Sequence, residues 1–273
     1  RTVVPIVAEP GRLFSLSSQV LFALSGPPNN PTAACGLGIY RDDLLGSSLT
    51  GNAFTCEPVN NLVHRQILTP HGVTFQSRRA EDEQVRDFLA STDPWFRPVQ
   101  VRTGTDGALW VVDMYRFVIE HPIWIPPDTL SRLDTRAGAD MGRIYRIVPD
   151  GKPLRKMPDL TTMTGEQLVD AMRSANGTQR DLVQQQILWK QDRATIPTLT
   201  AMCKNDERPE VRALFVELMA QFKSQRAAFP LANYAVRENV NEIRQRALQA
   251  IRKEHQEIAQ SVFVKALRDP NNT

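Results

Sequence analysis

Lysine is missing from the first 150 residues of this chain. Those residues hold 14 Arg and 16 acids, a net charge of −2, whereas residues 151–273 hold 19 basic and 14 acidic residues, a net charge of +5. The shift predicts a boundary between a domain at 1–150 and a second at 151–273, in keeping with a length of 273 residues. A modest basic excess on one half reads as solvated helix faces and not as a nucleic-acid surface. Cysteine is scarce, at positions 35, 56 and 203 only, and no C-x-x-C or C-x-x-C-H occurs. That excludes a zinc ribbon or a covalently attached haem within these residues. Cys35 and Cys56 share one segment, where pairing in an exported protein and two buried free thiols stand as equal alternatives; Cys203 reads as a small helical core residue. No apolar run approaches the roughly 18 residues of a membrane span. An initiator Met and a signal-peptide core are both missing before Arg1-Thr2-Val3-Val4, so a processed chain or an excised fragment is expected. Neither a Ser-His-Asp spacing, a Gly-rich phosphate loop nor a metal-binding helix motif stands out.

What the chain does have is concentrated at Ser91–Pro122. The alternation Ala108-Leu109-Trp110-Val111-Val112 stops abruptly at Asp113-Met114-Tyr115-Arg116, followed by Glu120-His121-Pro122. Charge and aromatic rings massed at the end of a buried strand indicate a site or a tightly hydrogen-bonded corner. Around it, residues 1–150 read as short strands: Arg12–Leu16, Asn52–Cys56, Asn61–Leu68, Pro98–Val101, Ala108–Val112 and Gly142–Val148. Asp106-Gly107 supplies a positive-φ hairpin turn between Pro98–Val101 and Ala108–Val112. Pro27–Pro31 forbids regular structure, and Glu81–Ala90 reads as a helical turn. Short strands joined by turns predict a sandwich or a propeller.

From about residue 158 the pattern turns helical and repeats. Arg180, Arg212 and Arg244 recur every 32 residues, and three further positions keep the same register: Gln179, Val211 and Ile243; Val183, Phe215 and Ala247; Ile187, Met219 and Ile251. A helical unit of this period predicts an α-solenoid, with the arginines holding the stack together. Arg208-Pro209-Glu210-Val211-Arg212 and Asn241-Glu242-Ile243-Arg244 resemble second-helix starts of HEAT repeats. Intervening helices are expected at Gly165–Ser174, Ile196–Cys203, Ala227–Tyr234 and His255–Leu267.

The β-region carries a more specific resemblance. Ala34-Cys35-Gly36, Ile39-Tyr40-Arg41-Asp42, Gly51-Asn52-Ala53-Phe54, Cys56-Glu57-Pro58 and Asn61-Leu62-Val63-His64-Arg65 form one half of it. Ser91–Pro98, Asp113–Arg116, Glu120-His121-Pro122 and Gly142–Arg146 form the other. In this order they resemble the planctomycete-type membrane-bound dehydrogenases, large exported proteins with a propeller similar to quinoprotein glucose dehydrogenase. In those proteins HEAT repeats follow, often with a haem-binding domain.

The resemblance implies the last blades of a β-propeller, roughly one and a half to two of them at four strands each, followed by an α-solenoid of HEAT-like helix pairs. It also implies a periplasmic or secreted oxidoreductase acting on a sugar or polyol, with pyrroloquinoline quinone and calcium as cofactors. Electrons would pass to a haem domain outside these residues. The competing expectation is a non-catalytic propeller–solenoid scaffold that binds carbohydrate or protein. Arg97 matches the arginine that precedes the D-G-x-L-Y-V strand of those dehydrogenases, and with Arg41, Arg65, Arg116, Tyr115 and Asn61 it makes the expected cofactor set. A tricarboxylate calls for such cationic forks. His64 and His121 are the candidate bases, because abstraction at a sugar carbon needs a base titrating near neutrality. Glu57, Asp93 and Asp113, with Asp106, are the candidate calcium donors. The family's cofactor lysine has no counterpart in residues 1–150, where the corresponding turn reads Glu57-Pro58-Val59-Asn60-Asn61. Trp95, Phe96 and Trp110 are core or rim residues more than sugar platforms. Tyr40-Arg41-Asp42-Asp43 reads either as a binding fork or as a loop-fixing ion pair, and His71 as an exposed turn residue.

Overall fold

A computed structural model describes residues 12–17, 30–72, 74–204, 206–222, 224–254, 256–266 and 268. The chain divides into two compact units, Arg1–Lys156 and Met157–Thr273. The first unit thus runs six residues past the boundary marked by charge.

The first unit is built on two antiparallel sheets. Strands β1 (Cys35–Ile39), β2 (Ala53–Glu57), β3 (Leu62–His71) and β4 (Thr74–Arg78) form a meander in that order, and the short β5 (Leu89–Ala90) pairs with the start of β3. Strands β6 (Pro98–Thr103), β7 (Leu109–Asp113) and β8 (Arg143–Ile147) form the second sheet. Neither sheet closes into a ring among the described residues. Between β7 and β8 lies one short helix, α1 (Pro127–Leu130). Phe54, Cys56, Val63, Phe96, Val101, Leu109 and Val111 bury one shared apolar core, joined by Tyr40. Alternate residues of β2, β3 and β7 supply it, as a period of two requires.

Two expectations are corrected. Arg12–Leu16 forms no strand; the Phe14 amide donates to the Asp87 carboxylate instead of to a ladder. Glu81–Ala90 shortens to a single 3-10 turn at Glu81–Glu83, after which the chain extends into β5. Of Pro27–Pro31, positions 27–29 lie outside the described residues. Three strands are not expected from the sequence: β4, the two-residue β5, and β1, Cys-Gly-Leu-Gly-Ile. Glycine is poorly suited to strands unless another backbone comes close. Here one does: a Cβ on Gly38 would sit 2.4 Å from the Val101 carbonyl oxygen of β6.

Tyr40–Asp43 is a loop-fixing group. The Tyr40 hydroxyl donates to the Gly107 carbonyl at 2.7 Å and accepts from the Leu45 amide. Asp42, fully buried, takes the Arg155 Nε–H on its carboxylate at 2.8 Å, and Asp43 takes the same guanidinium at its other end. Arg155 therefore ties the tail of the unit to the loop after β1.

The second unit is helical: α2 (Gly165–Ala171), α3 (Gly177–Lys190), α4 (Ile196–Lys204), α5 (Pro209–Gln221), α6 (Gln225–Arg237), α7 (Asn241–Glu254) and α8 (Gln256–Ala266). Each repeat contributes a helix pair, and α3, α5 and α7 carry the register positions. The nine residues that share the arginines' 32-residue register are all buried, the polar Gln179 included. The arginines that mark the period share one geometry. Arg180 Nη1 donates to the Ser174 and Ala175 carbonyls, Arg212 Nη1 to the Asp206 and Glu207 carbonyls, and Arg244 Nη1 to the Glu238 carbonyl. Each reaches six residues back, closing the turn that leads into its own helix. The loop carbonyls there have no helical amide to accept from, and a buried guanidinium satisfies them. Cys203 is buried in the same core.

Candidate functional site

Two constellations in the first unit gather the candidate residues. The first is the strand-end corner. Asp113 ends β7, and its Oδ1 accepts from the amides of Arg97 and Tyr115, both at 2.8 Å. Tyr115 holds φ at 49°, and its hydroxyl donates to Asp93 Oδ2 at 2.9 Å while the Trp95 amide caps Asp93 Oδ1. Trp95 packs against the rings of Tyr115 and Phe117. Burial pushes the Asp113 carboxyl above the usual carboxylate range, against those two amide donors.

Arg97 sits inside this corner, 8 % exposed. Its Nε–H donates to the Arg116 carbonyl, Nη1 to that of Pro58 and Nη2 to that of Phe117. Asn61, with φ at 57°, sends its amide to the carbonyls of Pro94 and Phe96. The corner is a set of side chains satisfying loop amides and carbonyls, and this accounts for Asp93, Arg97, Asp113 and Tyr115 within Ser91–Pro122.

The second constellation surrounds His64. Strand alternation puts Val63 into the core, so His64 points to the opposite face of β3, opposed on β2 by Thr55. His64 Nδ1 lies 2.6 Å from Asp87 Oδ1. Asp87 is held in turn by the Phe14 amide at 2.6 Å and by Arg79 Nη1 at 3.1 Å. Arg79 also donates to the carbonyls of Arg12, Glu83 and Arg86 and lies over the Phe14 ring. Burial works against the Asp87 charge, but the His64 bond, the Phe14 amide and the Arg79 cation together hold its carboxyl below the usual range. An ionised Asp87 accepts the Nδ1 proton of His64, and in the neutral ring that tautomer carries its lone pair on Nε2.

That Nε2 atom is buried and, among the described residues, has no hydrogen-bond partner. His64 lines a cavity of about 50 Å³ together with Leu13, Pro31, Ala34, Thr55, Glu57 and Gln66. Glu57 accepts from the amides of Thr32 and Ala33 and from Asn60 Nδ2, while burial pushes its carboxyl up. The arrangement is an oriented proton acceptor facing a small, mostly apolar space.

A family model described as "Domain of unknown function (DUF7133)" matches residues 2–151 of the chain. The chain belongs to this family. A second model, of HEAT repeats, matches residues 165–272, over the helical unit. No curated protein matches the chain. No solved structure matches it either.

Within the DUF7133 unit the expected cofactor set is divided. Arg65 ion-pairs with Asp82 and Glu83 and lies over the Phe88 ring. Arg116 donates to the Arg136 carbonyl, and Arg97 to its three carbonyls. Arg41 follows β1, its amide bonded to Thr103 Oγ1. Arg65 and Arg97, buried and engaged in this way, do not fit a quinone tricarboxylate, which needs guanidinium forks turned outward. Calcium fits no better. Glu57, Asp93 and Asp113 each accept protein donors, and among the described residues no group of three or more His, Cys, Asp or Glu side chains is placed to hold a metal. Asp106 likewise accepts from the Ala108 amide and Trp110 Nε1 and pairs with Arg146. His121 is exposed and accepts from the Ile123 amide, capping a 3-10 turn at Pro122–Trp124. His71 is exposed at the β3–β4 turn.

Asp87 and Arg79 are the site residues that sequence reasoning missed. They stand 23 and 15 positions beyond His64 in a polar stretch with no strand alternation, and no spacing rule links them to it.

Proposed function

We propose that the DUF7133 unit supplies the proton-accepting group of an exported oxidoreductase that oxidises a sugar or polyol alcohol. On this reading its two sheets are the closing blades of a propeller similar to that of quinoprotein dehydrogenases. The helical repeats follow it, and a haem domain elsewhere in the longer, periplasmic or secreted protein receives the electrons. The observation that carries the proposal is the 2.6 Å bond from His64 to ionised Asp87, with Nε2 at the cavity and unpartnered among the described residues. Nε2 accepts the proton of a substrate hydroxyl, and Asp87 stabilises the imidazolium that forms.

A cavity of about 50 Å³ admits a hydroxyl-bearing carbon or one or two waters, well below the roughly 300 Å³ of an ordinary ligand pocket. The ring of a sugar would lie outside it. Because Arg65, Arg97 and the carboxylates here do not fit the quinone or calcium, any such cofactor is, on this reading, held by other parts of the longer protein.

The test is dye reduction by the longer protein, supplied with pyrroloquinoline quinone and calcium, across sugars and polyols. His64→Gln is expected to lower kcat by about 100-fold or more, the usual worth of a general base. Full activity in His64→Gln, or no oxidation of any alcohol by the unmutated protein, overturns the reading.

A second reading is a scaffold that binds carbohydrate or protein. It is favoured by one observation, an open polar groove of about 430 Å³ in the helical unit, with Lys204, Asn233 and Arg237 on its walls. Substitution of Lys204 and Arg237 by Ala would then abolish partner capture and leave any dye reduction unchanged.

A further inference from the structure

Cys35 opens β1 and Cys56 stands one residue from the end of β2, and the two are directly opposed in the antiparallel register. Opposed residues of such a pair have Cα atoms about 4.5–5.5 Å apart with side chains on the same face. Disulfides span Cα separations of about 4.4–6.8 Å, a range that includes this spacing; the register shifts only beyond the pair, between Cys35 and Gly38. Both side chains also belong to one apolar cluster, Cys56 inside it and Cys35 packed against its edge. They are the only cysteines of the DUF7133 unit. In this structure both are free thiols.

We propose that Cys35 and Cys56 form an oxidation site that closes to a cross-strand disulfide. The oxidant is another disulfide, either a protein disulfide of an exporting compartment or glutathione disulfide. The Cys35 thiolate, the more exposed of the two, attacks one oxidant sulfur and releases the first thiol. Cys56 then displaces the second, giving one new S–S bond. Two electrons pass to the oxidant, whose two sulfurs leave as thiols carrying the two protons. Burial and the nearby Glu57 carboxylate raise the Cys35 thiol, and burial pushes Cys56 up to about 12. The uncatalysed exchange is therefore slow.

The bond has a structural consequence at the cavity. Ala34 precedes Cys35, Glu57 follows Cys56, and both line the space beside His64. Closing the disulfide clamps that wall. The inference does not depend on His64 accepting a proton.

The experiment uses the full chain, incubated with glutathione disulfide or with dithiothreitol, then denatured and alkylated. One alkylated cysteine is expected after oxidation and three after reduction, from the three cysteines present. Digestion with trypsin under non-reducing conditions should join peptide 13–41 to peptide 42–65, which separate after reduction. Cys35→Ser should leave two alkylated cysteines under both conditions. Should that variant fail to fold, the peptide map of the unmutated chain decides. Three alkylated cysteines after oxidation, or a map that joins Cys203 instead, overturns the proposal.

Discussion

Arg97 and Asp113 hold each other by backbone and carboxylate, with the Arg97 amide on Asp113 Oδ1 at 2.8 Å, while the Arg97 guanidinium is spent elsewhere. That division decides what the arginine does. Its charge is placed to satisfy three carbonyls of two separate loops, 58 on one side and 116 and 117 on the other.

Arg97→Ala is expected to destabilise the DUF7133 unit by about 3 kcal/mol, since one buried and two partly buried carbonyls lose their donor at once. Arg97→Lys should recover less than half of this, because one ammonium cannot span the fork. Urea denaturation of the two variants checks it. A cofactor contact would instead leave stability nearly unchanged.

Glu83 gives the unit a pH dependence. Burial drives its carboxyl up to about 7 despite an ion pair with Arg65 at 3.1 Å, and its buried Oε2 has no partner among the described residues. An unfolded Glu titrates near 4.3, so between about pH 4.3 and 7 the folded state binds the extra proton. The stability that Glu83 contributes is full below that window and is lost as pH rises through about 7. Glu83→Gln should therefore be close to neutral at low pH and stabilising by about 1 kcal/mol above pH 8. Denaturation midpoints of both proteins across that range would show converging curves on the acid side.

Gly38 is a close-approach glycine. Its would-be Cβ meets the Val101 carbonyl at 2.4 Å, which is backbone and cannot swing aside. Gly38→Ala should push β1 off β6 and destabilise the unit by about 2 kcal/mol, in the range of overpacked cores. Amide hydrogen exchange in β1 should rise well above that in β3. Equal protection in both strands would count against the close approach.

In the helical unit, Arg212 combines two loop-carbonyl bonds with a two-point pair to Glu238 at 3.0 and 3.1 Å. Arg212→Ala leaves the buried Glu238 without that pair and should cost about 3 kcal/mol. Thermal melting followed by far-ultraviolet circular dichroism reports it. A change below about 1 kcal/mol would mean the ladder is ornamental, as exposed pairs are.

Periodicity made the helical unit the most legible part of the chain. The 32-residue register is a local pattern repeated, and burial of Val183, Phe215 and Ala247 follows from it directly. Strands β2, β3, β6, β7 and β8 were readable from alternation. Strands β4 and β5 were not, lying in polar or very short stretches, nor was β1, because two glycines chosen for a neighbour's backbone look locally like a loop. The site was only half visible. His64 declared itself by type, but its partner Asp87 arrives through the chain's return along β4 and a 3-10 turn. Such pairings are set by tertiary placement and leave no mark in spacing. The same holds for Arg97, whose partners are carbonyls and so carry no side-chain signature at all.

The bond between Arg155 and Asp42 bears on how this protein can be taken apart. Arg155 lies eight residues beyond the end of β8, where the last strand and the change in charge both suggest that the first unit is complete. A protease nick or an engineered stop between Asp150 and Arg155 would preserve every strand, yet would remove the cation that faces a carboxylate sealed beneath the loop after β1. The portion of chain that must travel together is thus defined by an electrostatic partner and ends at Lys156.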